Sequence, residues 1–158
     1  MLRRLPSDAV TIEVLSGPDE VARCRLVLAA GQVSEELTGC VLEACYAWQQ
    51  GYMVFLTQDM LFEEVLVVYL LDSGGKVLDQ ARLSALYTAA AVSDLREHGS
   101  SSILFSFFHA DEWEVRLYMS AQRCWRWPWP GKLVKRSFQL RRYFDLVMRV
   151  APSETDSR

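Results

Sequence analysis

The sequence predicts a mainly β protein, an antiparallel curled sheet or sandwich of about eight to nine strands with at most one or two short helices. Residues Tyr52 to Asp72 contain two apolar runs, and the second is apolar on both faces: Val65, Val67, Tyr69 and Leu71 on one, Leu66, Val68 and Leu70 on the other. A strand buried on both sides reads this way. Turn residues follow at Ser73-Gly74-Gly75-Lys76, and a second run, VLDQARL, returns as the partner of a hairpin. Period-two alternation then recurs on either side of this centre at hairpin spacing.

Near the amino terminus, Val10, Ile12 and Val14 alternate with Thr11 and Glu13, a short strand ended by Ser16-Gly17-Pro18. Cys24, Leu26 and Leu28 alternate in turn with Arg23, Arg25 and Val27, and the two strands make a hairpin. Between Ser34 and Gly51 two periods compete. Ser34-Glu35-Glu36-Leu37 would cap a helix with Leu37, Val41, Cys45 and Trp48 on one stripe, whereas Cys40, Leu42, Ala44, Tyr46 and Trp48 alternate as a strand. Gly39 tilts the balance to the strand, because glycine costs a helix interior about 1 kcal/mol relative to alanine.

Beyond the central hairpin the period is lost from Leu83 to Ser102; residues 88 to 95 suit one or two helical turns, and His98 to Ser102 a loop. Ile103 to Phe108 is an apolar run, His109-Ala110-Asp111-Glu112 a hairpin turn, and Trp113, Val115, Leu117 and Met119 alternate with polar neighbours. In Trp125-Arg126-Trp127-Pro128-Trp129-Pro130-Gly131 two prolines forbid a central strand, so an aromatic, basic, extended loop is expected. Phe138 to Val150 alternates again and closes the chain as a strand, with Arg142 discordant on its apolar face.

With 158 residues, 51% of them hydrophobic, the chain is long enough to bury a core without staples. One globular domain over 1–151 and a disordered tail over 152–158 are expected. No apolar run approaches a membrane span, and no h-region follows Arg3 and Arg4. Cys24, Cys40, Cys45 and Cys124 match no zinc, redox or haem spacing, which suits reduced thiols in a cytoplasmic protein. Charge is divided unevenly: residues 1–122 hold 8 Lys/Arg against 17 Asp/Glu, and residues 123–150 hold 8 Lys/Arg against one acid, Asp145. Either the closing segment packs across the acidic body, or the two halves serve separate partners.

Three groups of residues invite a functional reading. Asp59, Glu63 and Glu64 crowd an elbow between apolar runs, where paired carboxylates do acid/base work, bind a hard cation, or form a negative patch for a basic partner. Asp111 and Glu112, beside His109, sit at a hairpin tip. Trp125, Arg126 and Trp127 belong to a basic aromatic segment, 123–143, whose composition fits single-stranded nucleic acid or a protein interface. Against these readings, turn chemistry alone accounts for each acidic group and outweighs the functional reading of it, and tryptophans covering an open sheet end would explain the third. No nucleophile elbow and no glycine pattern for phosphate is present, so no catalytic residue, cofactor or metal site is expected.

Leu42-Glu43-Ala44, Val54-Phe55-Leu56-Thr57-Gln58-Asp59, Phe62-Glu63-Glu64, Tyr69-Leu70-Leu71-Asp72, Val77-Leu78-Asp79 and Phe105-x-Phe107-Phe108 ahead of Trp113 resemble the small cytoplasmic immunity proteins that bacteria encode beside secreted antibacterial toxins. The likeness covers roughly residues 40 to 117. It implies a non-enzymatic protein that binds one cognate toxin tightly and blocks or distorts its active site. Asp59, Glu63, Glu64, Asp111, Glu112, Trp125, Arg126 and Trp127 are then the expected partner-binding residues. An exposed edge strand would also be able to pair two copies as a homodimer. Binding of nucleic acid through 123–143 is the alternative, and the acidic body counts against it.

Overall fold

The computed structural model describes residues 1–17, 20–49, 51–58, 63–86, 91–107, 112–124, 133–137 and 139–149. Its strands are β1 (Arg3–Arg4), β2 (Thr11–Val14), β3 (Arg23–Val27), β4 (Leu37–Thr38), β5 (Val41–Trp48), β6 (Gly51–Gln58), β7 (Glu63–Leu71), β8 (Val77–Leu86), β9 (Ser93–His98), β10 (Ser102–Ser106), β11 (Glu112–Arg123), β12 (Val134–Lys135) and β13 (Arg141–Arg149). The fold is all-β, with no helix among the described residues. Three antiparallel sheets form: six strands in the order β1-β5-β6-β7-β8-β12, four in the order β13-β11-β10-β9, and three in the order β2-β3-β4.

The six-stranded sheet lies in the middle because its strands are apolar on both sides. On one face Tyr46, Met53, Phe55, Leu66, Val68, Leu70 and Leu83 join Ile103, Phe105, Trp113, Val115, Leu117 and Phe144 of the four-stranded sheet in one core. Phe55 meets the rings of Tyr46 and Phe105 edge-on, at centroid distances of 6.0 and 5.5 Å. On the other face Val54, Leu56, Val65, Val67, Tyr69 and Leu71 pack with Cys24, Leu26 and Leu37 of the three-stranded sheet and with Leu28 just after β3. Two cores therefore share one sheet, and β7, buried from Val65 to Leu71, is common to both.

Local chemistry fixes the turns. In the β7–β8 connection the Asp72 carboxylate accepts the amides of Gly74 and Lys76, both at 2.9 Å, and Gly75 adopts φ of +85°. Gly39, at φ of +137° between β4 and β5, lies where a Cβ would stand 2.7 Å from Cβ of Leu56. That glycine resolves the competition over residues 34–50 in favour of strands. Ser34 is buried but does not cap a helix; its hydroxyl accepts the Leu26 amide at 2.9 Å.

Two expectations are corrected. Ser93, Asp94 and Leu95 do not form a helical turn but open the edge strand β9, whose polar residues carry no readable period because both sides are largely exposed; residues 88–90 lie outside the described residues. The strands also outnumber the expectation. Three of them, β1, β4 and β12, are two residues long, too short to show any pattern.

Candidate functional site

β4 stops at Thr38, so the three-stranded sheet leaves part of the central sheet uncovered. The floor there is the row of β7 and β8 that faces this layer, half-buried at Gln80 and Arg82 and buried at Val67 and Tyr69. In the register, Tyr69 lies opposite Gln80 and Val67 opposite Arg82, while β12 sets Lys135 opposite Arg82. Together with Thr38, Ala81, Arg136 and Ser137 these residues line a cleft of about 270 Å³.

The lining is rich in hydrogen-bond donors. Thr38 donates its amide to the Tyr69 hydroxyl at 3.0 Å, and its side chain bonds the same hydroxyl, which as a phenol both accepts and donates. Burial raises the Tyr69 phenol above its ordinary value, so it stays protonated. Gln80 donates to the Ser137 hydroxyl at 2.6 Å, leaving the hydroxyl proton to be donated onward. The Nε of Arg82 is enclosed and has no acceptor, and its guanidinium stands 3.6 Å from Glu63, outside good hydrogen-bond range. Lys135 is exposed and forms no ion pair among the described residues.

Arg136 fixes the wall of the cleft. It donates to Asp79 at 3.2 Å and to the Phe144 carbonyl at 2.8 Å, with its guanidinium carbon 4.6 Å from the Phe144 ring centre. Asp79 also accepts the amides of Tyr143 and Gln80, both at 2.8 Å. Burial nonetheless pushes the Asp79 carboxyl above its ordinary value and draws Arg136 down from its own. This pair ties the closing segment to the acidic body. Among the described residues the lining holds three cations, Arg82, Lys135 and Arg136; Glu63 stands beside Arg82, and Asp79 reaches Arg136 from the opposite face of the sheet, which leaves one positive charge without a carboxylate.

No family model, curated protein or solved structure matches this chain.

The expected site residues do not converge. Glu63 opens β7 on the cleft side of the central sheet and Glu64 follows on the other face. Glu112 lies on the outer face of the four-stranded sheet, beyond the opposite core, where it pairs with Arg96 and, at 3.4 Å, with Arg149. Beside it Glu114 pairs with Arg116 at 2.9 Å, and Tyr118 donates to Asp145. Burial and that carboxylate push the Tyr118 phenol to about 12. The charges of this face are largely met within the face. Asp59, Asp111, Trp125, Arg126 and Trp127 lie outside the described residues.

Arg82, Gln80 and Tyr69 escaped the sequence reading as site residues. The available signal was the alternation of Gln80, Arg82 and Ser84 with Ala81 and Leu83, a polar row on a strand whose neighbour is apolar on both faces. Among the described residues no three His, Cys, Asp or Glu side chains are placed to hold a metal ion. No helix there is long and apolar enough to cross a membrane. Cys24 and Cys45 are buried free thiols, and burial raises Cys24 to about 11 and Cys45 to about 12, as befits core residues.

Proposed function

We propose that the protein is a non-enzymatic binding protein that neutralises a secreted antibacterial toxin by tight protein-protein contact, in the manner of an immunity protein. The observation that carries this reading is the basic, donor-rich cleft on a sheet buried from both sides. A floor held by two cores does not rearrange on binding, so little ordering entropy is lost when a partner docks. The excess positive charge suits an acidic surface of the toxin and would speed encounter and reject cationic partners. The resemblance of residues 40 to 117 to immunity proteins points the same way.

The test is a tagged pull-down from nuclease-treated native lysate, paired with co-expression of the toxin encoded beside this chain. Recovery of that toxin at one-to-one stoichiometry, with growth restored in cells producing it, is the expected outcome. A neighbouring frame that encodes no secreted toxin, or a toxin that kills despite co-expression, would remove the reading.

One observation favours a second reading, single-stranded nucleic-acid binding through 123–143. Arg123 lies directly opposite Arg141 in the β11–β13 ladder, and neither has an ion pair among the described residues. Like charges placed opposite one another repel unless an anion sits between them. Omitting the nuclease separates the two readings, because nucleic acid then co-purifies only under the second.

A further inference from the structure

We infer that the cleft is a carboxylate-binding subsite whose internal competitor is Glu63, and that an acidic side chain of a protein partner displaces Glu63 from Arg82. The inference deepens the proposed function and rests on it for the partner's identity, though not for the chemistry of the site.

The hydrogen-bond inventory favours an oxyanion. The Tyr69 hydroxyl already accepts from Thr38, the Ser137 hydroxyl already accepts from Gln80, and Lys135 and Arg82 can only donate. An incoming group therefore meets Tyr69 of β7, Arg82 of β8, Lys135 of β12 and Ser137, two residues beyond β12, as donors. Arg82 rests incompletely satisfied: Nε has no acceptor and the Glu63 contact is long. A covered donor without an acceptor is costly, and a small rotation toward a better-placed carboxylate removes that cost.

Charge balance selects among oxyanions. One positive charge in excess matches a monoanion such as an Asp or Glu side chain. A phosphate dianion would be left undercompensated beside Glu63. The volume of about 270 Å³ accommodates the end of an acidic side chain, and the open side admits the chain that carries it.

Glu63 thereby takes the reverse of the role its sequence position suggests. It does not reach out to a basic partner; it occupies the guanidinium that the partner requires. Removing its charge should tighten binding, an effect that a merely structural ion pair would not produce.

The experiment titrates the full chain with an N-acetylated hexaglutamate amide and, in a separate arm, with inorganic phosphate, following backbone amide NMR shifts. The peptide should shift Thr38, Gln80, Lys135 and Ser137. Lys135→Gln, an exposed change that spares the fold, should weaken binding roughly tenfold, the scale of one charge-assisted hydrogen bond. Glu63→Gln should strengthen it by a similar factor, roughly tenfold. Shifts that avoid the cleft, a Glu63→Gln affinity equal to or below that of the parent, or phosphate bound more tightly than the peptide would each overturn the inference. Peptide binding in the cleft together with failure to neutralise the neighbouring toxin would leave the subsite standing and remove only the proposed function.

Discussion

Asp79 and Arg136 show how much one pair of residues decides. Fifty-seven positions separate them in the chain, yet their side chains are only 5% and 12% exposed and lie 3.2 Å apart. Each has further partners: the carboxylate accepts the amides of β8 and β13, and the guanidinium donates to the Phe144 carbonyl and stacks over its ring. A buried charge whose partner is deleted cannot be rehydrated. Arg136→Gln should therefore destabilise the fold by about 3–5 kcal/mol, against about 0–1 kcal/mol for loss of an exposed pair. Arg23→Gln, which removes the exposed contacts to Glu20 and Glu36, provides the comparison. Urea unfolding of both variants measures the difference; equal midpoints would mean that the Asp79 pair is not what holds the closing segment in place.

At the scale of the strand, β7 carries two cores on one backbone. Leu66 packs into the core shared with the four-stranded sheet, and Leu71 into the core shared with the three-stranded one; both are fully buried. Leu66→Ala and Leu71→Ala should each cost about 2–5 kcal/mol. The double variant should lose the sum, since the two side chains share no partners. A near-neutral Leu71→Ala, measured by denaturant unfolding, would mean that only one face is a core. This two-sided burial was readable directly from Val65 to Leu71, because apolar residues at both parities leave no wet face. Hairpins were equally readable where alternation ran for five residues or more, as in β3 and β11, whereas over β5 a helical stripe competed with the alternation and only Gly39 favoured the strand. The polar edge strand β9 was not, since neither of its sides is a core side. Nor was the cleft, which depends on where β4 ends and on Lys135 arriving beside Arg82 from 53 positions further along the chain, a meeting that no local pattern records. Glu63 and Glu112 stood out in the sequence as acidic clusters, but which arginine each would face was a matter of register.

Across the whole molecule, the uneven charge of the chain is partly resolved by folding. Arg136 and Arg149 of the closing segment pair with Asp79, Glu112 and Glu114 of the acidic body, whereas Arg142 pairs with Asp145 in its own segment. Pairing of this kind leaves a signature in the pH dependence of stability, and two carboxylates pull in opposite directions. Glu114 is held below its ordinary value chiefly by its hydrogen bond from Arg116. Its contribution is present above the unfolded pKa and is lost as pH falls through the folded one. Asp79 is raised from 3.8 by burial, so the folded state binds its proton more tightly than the unfolded chain does. The contribution of Asp79 is complete below the unfolded value and is lost as pH rises through the folded one. The unfolding free energy should therefore contain a component that declines as pH rises through the raised Asp79 value. In Asp79→Asn that declining component should be absent, even though the variant leaves Arg136 without an anion at the pH values where the parent's Asp79 is ionised. Urea unfolding at closely spaced pH values, compared as slopes, tests this. Parallel slopes for the two proteins would mean that the amides of Gln80, Tyr143 and Phe144, together with Arg136, outweigh burial and keep Asp79 ionised at no cost.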